Sequence, residues 1–245
     1  MISAIIGGNL VFLLMLYLGA RRLGMLFDSG LSDFSMDNGR IFVCGDIHGC
    51  IEPLLASLDA VGFDKERDHL YALGNLVDWG PASPAVLALL DEPWFSSTLG
   101  YHEMLLLDAA TGNYHQHARN GGVWFAWRSP EERAACVAKV KALPVAITVI
   151  TPSGRSVGLV HADVAGDDWT RFSSRLEEPE IRASALTVGE RAKIAKQGGT
   201  FKPIRNIDHV YVGRTAADEP LSVANMSWIP TECLSTGRIL IEELV

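Results

Sequence analysis

The run Arg40-Ile41-Phe42-Val43-Cys44-Gly45-Asp46-Ile47-His48-Gly49 decides how this chain is read. Its first half is apolar and ends at a glycine, which predicts a short buried strand. Downstream, Ile51, Leu54, Leu55, Leu58 and Val61 recur at helical spacing and predict an amphipathic helix. Between the two, Asp46 and His48 stand two residues apart in an extended segment, so their side chains point the same way. Gly45 and Gly49 permit a tight turn and close backbone approach. Ligands of open α/β sheets bind beyond the carboxyl ends of strands, where this pair falls.

Working outward, the same arrangement recurs. Gly74-Asn75-Leu76-Val77-Asp78-Trp79-Gly80, Gly100-Tyr101-His102-Glu103 and Leu159-Val160-His161-Ala162-Asp163 each follow or close a strand-like run and carry polar, ligand-type side chains. Strands are expected at Leu70–Leu73, Ser97–Gly100, Val145–Ile150, Ser156–Val160, His209–Val212, Met226–Ile229 and Arg238–Glu242. Helices are expected at Pro84–Leu90, Met104–Ala110 and Glu131–Leu143. Strand–helix alternation followed by a strand-rich half predicts a layered α/β (α+β) fold with stacked sheets and helices outside.

The composition agrees with a globular protein. Of 245 residues, 21 are Lys or Arg and 29 Asp or Glu, giving a net charge of −8. An acidic chain without a basic run excludes a nucleic-acid backbone binder. No Gly-rich phosphate fingerprint opens a helix, so no nucleotide cofactor is expected. Cys44, Cys50, Cys136 and Cys233 have no C-x-x-C spacing and read as free thiols. Cys44 reads as core, and Cys50 as a thiol without a basic sequence neighbour to activate it. His115 and His117 lie in a polar stretch and read as a solvated loop. Trp94, Trp124, Trp127 and Trp169 read as core or loop anchors with no further role.

From Met1 to Ala20 there is no charge, and Arg21-Arg22 closes the run. At ~1.5 Å per residue such a helix reaches about 30 Å, enough to span a bilayer. Residues 1–22 are expected to be a membrane anchor, residues 23–39 a linker, and residues 40–245 the folded domain. The arginines place the domain on the cytoplasmic side of the membrane. A start at Met25 or Met36, or a short buried helix, are the other readings of this segment.

Taken together, the motifs resemble the calcineurin-like metallophosphoesterases, in the PPP-type Ser/Thr protein phosphatase branch found in bacteria and phages. That family carries G-D-x-H-G, G-D-x-V-D-R-G, G-N-H-E, V-H-A and G-H-T in this order. This chain reads G-D-I-H-G, G-N-L-V-D-W-G, G-Y-H-E, V-H-A-D and Gly213-Arg214-Thr215. Asn120-Gly121-Gly122 with Trp124 resembles the family segment between the third and fourth motifs. The resemblance implies two divalent metals bridged by a carboxylate, a metal-bound hydroxide as nucleophile, a His as general acid, and arginines on the phosphate.

Carried over residue by residue, Asp46 and His48 keep first-metal positions and His161 one second-metal position. His102 keeps the general-acid position, with Asp78 as its orienting carboxylate. Asn75 stands at the bridging aspartate, Tyr101 at a second-metal asparagine, Arg214 at the last histidine, and Trp79 at a phosphate-gripping arginine. Gly189 falls near a second such arginine, and Pro230 where many bacterial members have Asp. At ~4 Å and an effective dielectric of about 20, two divalent ions repel by roughly 16 kcal/mol before ligands compensate. Exchanging anionic Asp for neutral Asn removes compensation, and the guanidinium of Arg214 adds a fixed positive charge.

The expected cofactor is therefore a divalent metal, manganese first, at fewer than two ions, on Asp46, His48, Asn75 and His161. Two readings follow. The favoured one is a pseudophosphatase that binds a phosphorylated protein or small phosphoester through Arg214 and the amides near Gly45 and Gly49. The other is an active phosphomonoesterase with reduced metal content. A membrane regulatory protein whose anchor matters more than its fold is the third class.

Overall fold

The computed structural model describes residues 39–187, 189–213, 220–230 and 233–245. The expected anchor and most of the expected linker lie outside the described residues, as does Arg214. Among the described residues no helix is long and apolar enough to cross a membrane.

The elements follow in chain order. The first half runs β1 (Ile41–Cys44), α1 (Ile51–Ala60), β2 (His69–Ala72), α2 (Ser83–Ala88), β3 (Phe95–Ser97), α3 (Tyr101–Ala110), α4 (Tyr114–Arg119), α5 (Val123–Ala126) and α6 (Pro130–Lys141). The second half runs β4 (Ala146–Ile150), β5 (Ser156–Val160), α7 (Trp169–Ser173), α8 (Pro179–Leu186), α9 (Glu190–Lys196), β6 (His209–Val212), β7 (Leu221–Val223), β8 (Met226–Trp228), α10 (Cys233–Thr236) and β9 (Ile241–Glu243).

Two mixed sheets result, one in the order β3-β2-β1-β9 and the other β4-β5-β6-β8-β7. Their central strands are parallel, β1 with β2 and β3 in the first, β5 with β6 and β8 in the second. Alternation along each strand divides the apolar residues between two cores. Ile41, Val43, Tyr71, Ile147, Val149, Val157, Leu159 and Tyr211 face inward between the sheets. Phe42, Cys44, Leu70, Ala72, Val160, Val210 and Val212 join the larger core that the helices cover. The expected layered architecture is therefore the observed one.

Boundaries differ where the local signal was weak. The third strand is Phe95–Ser97 rather than Ser97–Gly100, because Leu70, Tyr71 and Ala72 pair with Phe95, Ser96 and Ser97. Leu99 already belongs to the turn, its N–H donating to Pro144 O. Helices α7, α8 and α9 carry no long apolar period. They begin instead on local devices, such as the Asp168 side chain accepting from Arg171 N and Pro179 in the first turn. By contrast α6 was legible, with Ser129 and Glu132 closing a capping box before Pro130 and lysines in the last turn.

Candidate functional site

Every sequence-predicted residue within the described chain stands just past the carboxyl end of a parallel strand: Asp46 and His48 after β1, Asn75 and Asp78 after β2, His102 after β3, His161 after β5. The two sheets bring these ends together. His161 Nδ1 donates to Leu73 O at 2.7 Å and lies 3.8 Å from Asp46 Oδ1. His48 Nδ1 lies 3.0 Å from Val77 O. A carbonyl only accepts, so both rings carry the proton on Nδ1. His48 therefore turns Nε2 toward Asp46 Oδ2, 3.5 Å away.

Asn75 occupies the centre. Its Oδ1 accepts the backbone N–H of His102 at 2.9 Å, which fixes the orientation of the amide. Its Nδ2 then donates to Asp46 Oδ2 at 2.8 Å. Both ends of the amide are thus engaged inside the protein. Asp46 Oδ1 is buried without a hydrogen-bond donor. Among the described residues, no group of three or more His, Cys, Asp or Glu side chains is arranged to hold a metal ion.

A second cluster surrounds Asp78, which is fully buried. Its Oδ2 accepts His102 Nδ1 at 2.8 Å. Its Oδ1 accepts His117 Nε2 at 3.0 Å and Trp124 Nε1 at 2.8 Å. The reading of His117 as a solvated loop residue is corrected: it lies on α4 and is 1% exposed. Trp124, given no role from sequence, is a donor to the same carboxylate. Trp127, grouped with it as an anchor, is instead 83% exposed. The turn Asn120-Gly121-Gly122 explains how α4 and α5 come so close. A Cβ on Gly122 would lie 2.1 Å from His117 Cδ2, and one on Gly121 2.5 Å from Trp79 N.

Glu103, the last residue of the third motif, is a site residue to which the motif alone gives no role. It is fully buried and accepts the N–H groups of Asn75, Gly100, Leu76 and Val77 at 2.8, 2.9, 2.8 and 3.3 Å. That single carboxylate ties the loop after β2 to the start of α3. The helix begins at Tyr101 rather than at the expected Met104, which puts Glu103 in its first turn, the third position of a capping box. Tight loop geometry accompanies it: His48, Asn75, Asp78 and Trp79 all have positive φ, at 47°, 50°, 74° and 61°. Left-handed non-glycine residues cost about 1–3 kcal/mol each and persist where the surroundings over-determine them.

The expectation that amides near Gly49 would hold phosphate is corrected as well. Gly49 N donates to Leu76 O at 2.8 Å, and His48 N to Asn75 O at 2.8 Å. Gly189 opens α9, and Arg191 two residues later grips Asp163 Oδ1 and Val164 O. Cys50 is buried, its thiol directed at His48 O.

Residues 39–210, which carry all of these described groups, match the family model described as calcineurin-like phosphoesterase. The chain belongs to that family. Serine/threonine-protein phosphatase 1 of Salmonella typhimurium is 31% identical over 208 residues, covering 83% of this chain and 91% of its own. Serine/threonine-protein phosphatase 2 of Escherichia coli is 31% identical over 203 residues, covering 81% and 90%. A Saccharomyces cerevisiae protein serine/threonine phosphatase superposes with a TM-score of 0.56 over 86% of this chain and 81% of that one. At 14% identity it shows the fold alone.

Within this candidate site the ionisable groups are strongly perturbed. Burial pushes the Asp46 carboxyl up, but the hydrogen bond and charge of His48, with His161 and Asn75, outweigh it and hold it below the usual range. Burial likewise opposes ionisation of Asp78, and donation from His102, His117 and Trp124 overcomes it. Burial lowers His102 and prevails over Asp78. Glu103 is pushed up to about 7 by burial, against its backbone donors. The arrangement can orient His102 as a neutral hydrogen-bonding group and keep two carboxylates ionised beneath it.

Proposed function

We propose that this calcineurin-like phosphoesterase is a pseudophosphatase, a partner-binding module that does not assemble the family's two-metal hydrolytic centre. The observation that carries this reading is the 2.8 Å hydrogen bond from Asn75 Nδ2 to Asp46 Oδ2. Two carboxylates at that spacing would need a cation between them, whereas the amide donates to Asp46 Oδ2 directly. The donor set does not fit a pair of ions: one carboxylate, His48 and His161, with the amide oxygen already accepting His102 N–H.

The partner class is a phosphorylated protein or a small phosphoester, in keeping with the names of the relatives. Arg214, covalently next to Gly213, supports an anion-binding role, as a guanidinium that stays charged. With Gly49 N–H already paired, the anion depends on that arginine. The uncharged run from Met1 to Ala20 supports a tether holding the domain at the cytoplasmic face of a membrane. Recovery of the intact chain in the soluble fraction without detergent would remove the tether.

One observation favours the second reading, an active phosphomonoesterase with reduced metal content. The His102–Asp78 pair is formed, and His48 and His161 donate Nδ1–H to backbone carbonyls, the arrangement that orients imidazole ligands. Manganese titration by calorimetry, with hydrolysis of an aryl phosphate, separates the two. The expected result is no stoichiometric binding and no turnover above an Asp46→Asn, His48→Asn control. Turnover abolished by that control establishes the active enzyme.

A further inference from the structure

The ring of His102 is the centre of an aromatic array. Trp79 lies against it at 6.3 Å between centroids and 60° between planes, Tyr101 at 5.8 Å and 84°, and His48 at 4.7 Å and 82°. Of these, Trp79 is 53% exposed although it follows the fully buried Asp78. The indole is not a loose surface group. Its backbone is held at φ 61°, Gly80 N donates to Asp78 O and His48 O, and Gly121 passes so near that a Cβ there would meet Trp79 Cδ2 at 3.1 Å. A large apolar side chain is thus fixed in a left-handed conformation with one half in water, next to the polar floor of the site.

We propose that Trp79, with His102 beside it, is a stacking platform for a planar aromatic ring on the bound ligand. A half-exposed indole offers surface for offset contact with a flat ring, and its quadrupole favours that geometry. A branched aliphatic chain would touch it along one edge only. Beneath the platform the His102 ring, whose Nδ1 is held by the buried Asp78, has Nε2 as its remaining polar atom, so the ligand presents a ring to Trp79 and a hydrogen-bonding substituent toward His102. The ring can come from a nucleobase or from a phenol side chain. The inference deepens the binding reading above by naming what the pocket recognises beside phosphate.

Calorimetry on the full chain tests it with four probes: phenyl phosphate, methyl phosphate, adenosine and N-acetyltyrosinamide. Phenyl phosphate is expected to bind about tenfold or more tightly than methyl phosphate, as expected for ring stacking on an aromatic side chain. Trp79→Ala, shown folded by its melting curve, should bring the two within about twofold, and Trp79→Phe should keep part of the preference. Adenosine against N-acetyltyrosinamide identifies the source of the ring. Phosphate-free aromatics that bind through Trp79 while methyl phosphate fails would keep the platform and remove the phosphate part of the preceding reading. Phosphoesters binding without aromatic preference would do the reverse. The proposal is overturned if the preference survives in Trp79→Ala, if no aromatic probe binds, or if tetramethylammonium binds with the same dependence on Trp79 and aromatic rings do not.

Discussion

Asn75 Nδ2 donates to Asp46 Oδ2 across 2.8 Å, joining the loops after β1 and β2 by a neutral-to-anionic hydrogen bond. Asn75→Asp converts that bond into two facing carboxylates. Losing a hydrogen bond to a charged group costs about 1.5–3 kcal/mol, or roughly 3–12 °C of melting temperature for a domain of this size. In chelator the variant is expected to melt lower by that amount, and millimolar manganese should restore it. Wild type should melt at the same temperature in chelator and in manganese. Scanning calorimetry of both proteins checks this, and a wild type that gains several degrees from manganese would contradict the pseudophosphatase reading.

Glu103 is the buried carboxylate on which four backbone N–H groups converge. Glu103→Gln turns one acceptor oxygen into an NH2 that faces donors. The expected loss is about 3 kcal/mol, by the cost of leaving buried donors unpaired. Urea unfolding measures it. Amide exchange should accelerate at Asn75, Leu76, Val77 and Gly100 and leave β4–β5 protected, which separates a loosened loop from general destabilisation.

Most strands were legible as short apolar runs, a pattern that depends on local sequence alone, whereas the edge strand β7 (Leu221–Val223), with no buried residue, was not. The site was legible as far as its motifs reach: Asp46, His48, Asn75, His102 and His161 do converge, and Asp78 does meet His102. What escaped was the second layer. His117 and Trp124 sit 39 and 46 residues from Asp78, and nothing in a polar, glycine-rich stretch shows that its imidazole turns inward. Packing through Gly121 and Gly122 decides that, a tertiary fact without a period. The engagement of Gly49 N–H with Leu76 O is equally invisible, since it depends on where the next strand ends.

His117→Phe keeps the volume of the buried ring and removes its N–H from Asp78 Oδ1. With two donors left, Asp78 binds the His102 proton more tightly. The variant should lose about 2 kcal/mol by denaturation. Its His102 should titrate at higher pH than in wild type, read from imidazole NMR signals. An unmoved His102 titration with the same stability loss would mean that His117 only fills space.

His69, at the start of β2, contacts Ser96 Oγ at 3.0 Å and packs on Tyr71. It lies away from Asp46 and tests the fold's own pH dependence. Burial pushes its pKa from 6.5 down to about 4. The folded state therefore refuses a proton that the unfolded chain accepts, so its contribution is complete above pH 6.5 and falls away as pH drops toward 4. At about 1.4 kcal/mol per pKa unit, the loss across that window is at most about 3.5 kcal/mol. His69→Gln retains a hydrogen-bonding partner for Ser96 but no titrating ring. Urea midpoints at pH 7 and pH 4.5 should diverge in wild type by more than in the variant, the difference being the histidine's share. Parallel shifts in the two proteins would place the acid sensitivity elsewhere, in carboxylates such as Asp68 that are held low by Arg40.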